Sequence, residues 1–84
     1  MRVFERNVPT TPTAIPTLIG QSLTQCSALG LQAPEANVDT IFFGDKNTQS
    51  FELRPEANAI LPINSVKDVY VYGTSGDKIS IGIF

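Results

Sequence analysis

From Val69 to Phe84 the sequence alternates between apolar and polar or small residues almost without a break. Val69 and Val71 fall on one side of the chain, Tyr70 and Tyr72 on the other. Further on, Ile79, Ile81 and Ile83 share a side opposite Lys78, Ser80, Gly82 and Phe84. Only an extended backbone puts every second side chain on one face, so this stretch reads as two strands. Thr74-Ser75-Gly76-Asp77 supplies the turn between them, with Gly76 free to adopt a positive φ. The expected product is a closing hairpin whose second strand runs to Phe84, held in a sheet or against a neighbour.

The same grammar recurs upstream. "SFELR" alternates, with Phe51 and Leu53 expected inward and Glu52 and Arg54 outward. "DTIFFG" is a short β-branched and aromatic strand between Asp39 and Gly44, and "AILPI" is another, whose Pro62 argues for an edge or a bulge. "LTQCSALGLQA" admits a weak helical stripe through Ile19, Leu23, Cys26 and Gly30. A strand with Ser27, Leu29, Leu31 and Ala33 on one face suits the rest of the chain better. "APEAN", "DKNTQ" and "PEAN" are turns, and "NSVKD" is a loop or one helical turn. About six or seven short strands with turn signals about every 8–12 residues indicate an all-β fold, a small antiparallel β-sandwich or barrel. No crossover helix fits between them, which excludes a parallel α/β fold.

The first twenty residues differ. "NVPTTPTAIPTLIG" carries Pro9, Pro12 and Pro16, each lacking a backbone donor and fixed in φ, so neither a helix nor a central strand is expected. Val3, Phe4, Val8, Ile15, Leu18 and Ile19 make it richer in large apolar side chains than a free linker. The expectation is an extended Pro-rich arm, residues 1–20, ahead of a β-sandwich domain, residues 21–84. Phe4, Val8, Ile15 and Leu18 are the arm's candidate contacts to a neighbouring subunit.

A chain of 84 residues buries only roughly 60–65% of its unfolded surface, and small domains of this kind usually rely on a staple. Cys26 is the sole cysteine and histidine is absent, so neither an internal disulfide nor a zinc set is expected. Partner subunits are the remaining staple. The net charge is −2 and the six basic residues are spread singly, unlike the clustered basic surface of a nucleic-acid binder. No apolar run reaches the roughly 20 residues of a membrane span. "MRVFERNV" lacks the apolar core of a signal peptide, so synthesis in a cytoplasm is expected.

Catalytic constellations are equally sparse. A hydrolytic triad needs a base, usually histidine, and Cys26 has no evident source of a lowered pKa. It reads as a small structural thiol. Asp45 with Asp77, or Glu52 with Glu56, could be posed as acid–base pairs, but carboxylates at β-turns usually make Asx turns. "GDKNTQ" and "GTSGDK" lack the spacing and context of a phosphate loop. No catalytic residue, cofactor or metal is expected. A carbohydrate-binding module remains as an alternative, because Tyr70 and Tyr72 share a strand face and could form a platform, although a half-buried or subunit-facing role suits tyrosine equally well.

From Ser27 to Phe84 the cadence is an apolar strand, the loop "APEANVDT", "IFFG" ending in Gly44, Phe51-x-Leu53, a turn at Pro55, Leu61-x-Ile63, and Tyr70-Val71-Tyr72-Gly73-Thr74-Ser75-Gly76-Asp77. It resembles a family of small β-sandwich virion proteins of tailed bacteriophages, over about two-thirds of the chain. Where that pattern tends to have glycine after the proline turn, this chain has "EAN", so Asn58 is expected in the left-handed position. The resemblance implies no catalytic residues. It implies a structural role in the virion, as a capsid decoration (cement) protein or a neck, tail or baseplate component. Its partners would be further copies of itself, most simply in a trimer, and the major capsid protein or other virion proteins. Phe84, with Tyr70 and Tyr72, then becomes a candidate interface position.

Overall fold

The structure, a computed structural model, describes residues 2–21 and 25–84. Eight strands and one short helix follow one another: β1 Arg2–Asn7, β2 Thr13–Ala14, α1 Ile15–Ile19, β3 Leu29–Gln32, β4 Ile41–Gly44, β5 Phe51–Leu53, β6 Asn58–Leu61, β7 Tyr70–Tyr72 and β8 Lys78–Ile83. They form two four-stranded sheets, β1-β8-β3-β6 and β2-β7-β4-β5, antiparallel throughout. The fold is an all-β sandwich, as the alternation required.

The core follows from period two. Ile79, Ile81 and Ile83 lie on β8, where Ile81 and Ile83 pair across the sheet with Leu31 and Leu29 on β3, and all five are buried. Ile41, Phe43, Leu53 and Val71 join them from the second sheet. Each such side chain is worth about 1.5–3 kcal/mol on full burial, so the two apolar faces are the fold's main driving force.

That force also overrides the hairpin expected at the end of the chain. The turn forms, with the Asp77 amide donating to the Thr74 carbonyl at 3.2 Å and Gly76 at φ 95°. Yet β7 and β8 enter different sheets. Side-by-side pairing would bury Val71 and the isoleucines on one layer only. Folding the segment as an arch lets both apolar faces meet across the core.

The expected division at residue 20 is likewise replaced, since residues 2–20 belong to the sandwich. β1 pairs with β8 over its whole length, and β2 pairs with β7. Proline still shapes the segment, keeping β2 to two residues, but it does not prevent a helix. Pro16 lies in the first turn of α1, where a missing N–H costs nothing because first-turn amides have no intrahelical partner. Gly20, at φ 71°, closes the turn, with Gly20 and Gln21 amides donating to Thr17 and Pro16 carbonyls, the Schellman arrangement. Ile15 and Ile19 are buried in the core.

Three smaller expectations are corrected. Among the described residues Glu56, not Asn58, is the non-glycine residue with positive φ, at 74°. Pro55 takes the second place of a type II turn closed by Ala57 N–H on the Arg54 carbonyl, and the third place of that turn requires a positive φ. Phe51 faces inward as expected, stacked on Phe43 at 5.5 Å, but is 64% exposed, because β5 is an edge strand and the core ends at Leu53. Cys26 precedes β3 rather than lying in a strand, beside an isolated bridge between Gln25 and Ser65. Leu23, part of the helical alternative, lies outside the described residues.

Candidate interaction surfaces

The two central strands of the first sheet meet at a pair of glycines. Val3 pairs with Gly82, Gly82 with Gly30, and Gly30 with Ile60. One continuous rung therefore crosses all four strands with side chains only at its ends. Neither glycine has a positive φ, so no backbone conformation demands them. Glycine inside a strand weakens it and often marks a place where another group approaches closely. The ring of Phe84 does so: a Cβ on Gly30 or on Gly82 would lie 3.3 or 3.4 Å from Phe84 Cε2.

Beside that ring runs a groove of about 290 Å³, walled by Val3, Ile60 and Phe84. These side chains are 64%, 63% and 48% exposed, and are three of the five exposed large apolar side chains among the described residues. The neighbouring rung, Glu5–Ser80–Gln32–Asn58, borders the groove with the neutral hydrogen-bonding groups of Ser80, Gln32 and Asn58. Phe84 stands on the face opposite Ile79, Ile81 and Ile83, as the alternation placed it. Its glycine floor was not found from the sequence. The signal present was glycine at an outward strand position in two segments; the register that makes them neighbours appears only in the folded sheet.

The outer face of the second sheet is built differently. Tyr70 and Tyr72 flank buried Val71 and point outward, half-buried. Phe42, which sequence reasoning did not single out, pairs with Tyr72, and their rings stack at 5.2 Å with 23° between planes. Tyr70 pairs with Gly44. Phe42 therefore covers one face of the Tyr72 ring, a face that a sugar platform would present to its ligand.

The four arm residues separate. Val8 and Ile15 are in this chain's own core, and Phe4 and Leu18 pack against it half-buried. Burial inside the chain removes Val8 and Ile15 as contacts to a neighbour. Phe4 lies between two guanidinium groups, with Arg2 Cζ 5.6 Å and Arg6 Cζ 5.3 Å from its ring centre.

The carboxylates posed as acid–base pairs have structural partners. Asp45 Oδ1 accepts the amides of Asn47 and Thr48 at 2.9 and 2.8 Å, an Asx turn. Asp77, only 4% exposed, accepts the Val38 and Asp39 amides at 2.8 and 3.0 Å. Beside it the Asn37 amide donates to the Lys78 carbonyl and accepts its N–H, at 2.7 and 2.8 Å. These bonds clamp the β3–β4 loop to the β7–β8 arch. Glu52 faces Arg54 at a loose 3.9 Å on open surface, and Glu56 sits in the turn described above. Cys26 Sγ donates to the Ile63 carbonyl at 3.3 Å.

No protein-family model, curated protein or solved structure matches this chain.

Proposed function

We propose that this chain is a non-enzymatic structural protein of a tailed-phage particle. In this reading it is a capsid decoration protein that stabilises the shell through subunit contacts, as a homo-oligomer, most simply a trimer. The observation that carries it is the groove on the β1-β8-β3-β6 sheet. There one rung of the two central strands, Gly82 and Gly30, lacks side chains while Val3, Ile60 and Phe84 stay exposed around it. A surface that pairs missing side chains with exposed apolar ones is suited to receiving groups from a neighbouring chain. The phage assignment rests on the strand-and-turn cadence from Ser27 to Phe84. A neck, tail or baseplate position uses the same surface.

The test is stoichiometry on purified particles by quantitative mass spectrometry. A copy number that tracks the shell subunits supports decoration. One that tracks the symmetry of the neck or tail moves the protein there, and absence from particles overturns the reading. Glycan recognition rests on Tyr70 and Tyr72, and a glycan-array signal lost in Tyr70→Ala would replace the scaffold reading.

A further inference from the structure

We infer that β1 is a second binding surface, which accepts an acidic extended segment of a partner chain as an added strand. The four sheet edges are unequal. β2 has two residues, β5 three and β6 four, and Pro62 follows β6 directly. Short or proline-bounded edges offer little to a fifth strand. β1 has six residues and no proline. It pairs with β8 on one side only, and among the described residues no further backbone–backbone bond reaches it. The Arg6 guanidinium donates to the Glu5 carbonyl at 2.9 Å, an exposed contact, and to the Ile19 carbonyl at the end of α1 at 3.3 Å, a part-buried one.

The side chains on this edge specify the occupant. Arg2, Phe4 and Arg6 share one face of the strand, opposite Ile83, Ile81 and Ile79, and both guanidinium groups turn toward the Phe4 ring. Among the described residues neither arginine has a carboxylate within ion-pair distance; the ion pair found there joins Arg54 and Glu52. In a chain of net charge −2, this places two uncompensated cations beside an aromatic ring on the longest free edge. A strand added there sets alternate side chains beside Arg2, Phe4 and Arg6. The complementary pattern is acidic, any, apolar, any, acidic. Charged edges also deter unwanted pairing, and that simpler role makes the opposite prediction below. β1 reaches the groove only through Val3, on the face opposite Arg2, Phe4 and Arg6, so failure here leaves the scaffold reading intact, and absence from particles leaves this site intact.

The experiment uses the full chain and a fluorescent peptide containing Glu-Thr-Phe-Thr-Glu, followed by anisotropy and by amide NMR shifts. Binding should perturb β1 and β8, weaken about tenfold or more as salt is raised through the range where the Debye length falls to a few ångströms, and vanish when alternate peptide amides are N-methylated. The Arg2→Glu, Arg6→Glu double variant should lose this peptide and gain the Lys-Thr-Phe-Thr-Lys one. Should that variant fail to fold, the salt series on the unaltered chain decides the same question. Absence of binding, or binding indifferent to salt and N-methylation, overturns the inference. So does self-association of Arg2→Gln, Arg6→Gln in a chain that never takes the peptide, the outcome expected of a purely protective edge.

Discussion

On the β2-β7-β4-β5 sheet, the outward positions of the central strands hold Phe42, Gly44, Tyr70 and Tyr72; on the β1-β8-β3-β6 sheet, they hold Gly30, Gln32, Lys78, Ser80 and Gly82, with no aromatic among them. The first face completes itself. Phe42 and Tyr72 stack on one another, giving cross-strand contact that stabilises a sheet without outside help. The second face leaves one central rung, Gly82 and Gly30, to the backbone and to one overlying ring, that of Phe84. Both faces bury the same kind of core beneath them, and on the second the glycine rung makes room for the ring of Phe84. A face that spends side chains on itself is structural, and one that omits them has room for another molecule. Substitutions that separate stability from binding put that contrast at risk.

The largest effect is expected where the two sheets are tied together. Asp77 holds the Val38 and Asp39 amides from the arch between β7 and β8. Asp77→Ala leaves both donors without their partner in a nearly buried site. Bonds to a charged acceptor contribute about 1.5–3 kcal/mol each at most, less what entering water recovers. The expected loss is about 2–4 kcal/mol in chemical denaturation, with both faces affected alike. A change below about 0.5 kcal/mol would show that the clamp is incidental. Next comes the self-completed face. Phe42→Ala should cost about 1–3 kcal/mol, from lost area and the stacking increment, and leave subunit association unchanged. Weakened association at full stability would place the binding surface on this sheet instead.

Much of this architecture was legible in the sequence because period two is a local signal. The buried sets Ile79, Ile81, Ile83 and Leu29, Leu31, Ala33 follow from alternation alone, as do the outward Tyr70, Tyr72 and Phe84. Less legible was anything depending on which strands meet. The turn at Thr74–Asp77 looks the same whether its strands pair or arch, and only the gain from opposing two apolar faces decides between them. The N-terminal segment departs from expectation because proline does not exclude regular structure everywhere. Its position, in the first turn of α1 and outside a two-residue strand, makes it compatible instead. The glycine rung and the Arg2–Phe4–Arg6 edge depend on register and on which strand is outermost, neither of which a single strand's pattern encodes.

The smallest stability effects test the contrast most sharply. A valine at Gly30 would bring its Cβ within 3.3 Å of Phe84 Cε2 and 3.6 Å of Ile60 Cδ1, so the ring must shift and the groove must fill. The strand preference of a β-branched residue offsets much of that strain, and net stability should change by no more than about 1 kcal/mol. Gly82→Ala is milder. Its Cβ would meet Phe84 Cε2 at 3.4 Å and Cζ at 3.7 Å, ordinary van der Waals contact, and the backbone there needs no positive φ. Replacing a strand-interior glycine with alanine at such a site should stabilise the domain by about 0.5–1 kcal/mol. The same methyl raises the groove floor and should weaken association with the particle or with further copies about tenfold, about 1.4 kcal/mol. A chain made more stable and less able to assemble is the result that distinguishes a binding floor from a packing accident. Should Gly82→Ala gain stability and assemble as the unaltered chain does, the glycines serve only the ring of Phe84, and the groove is not where this protein meets its partners.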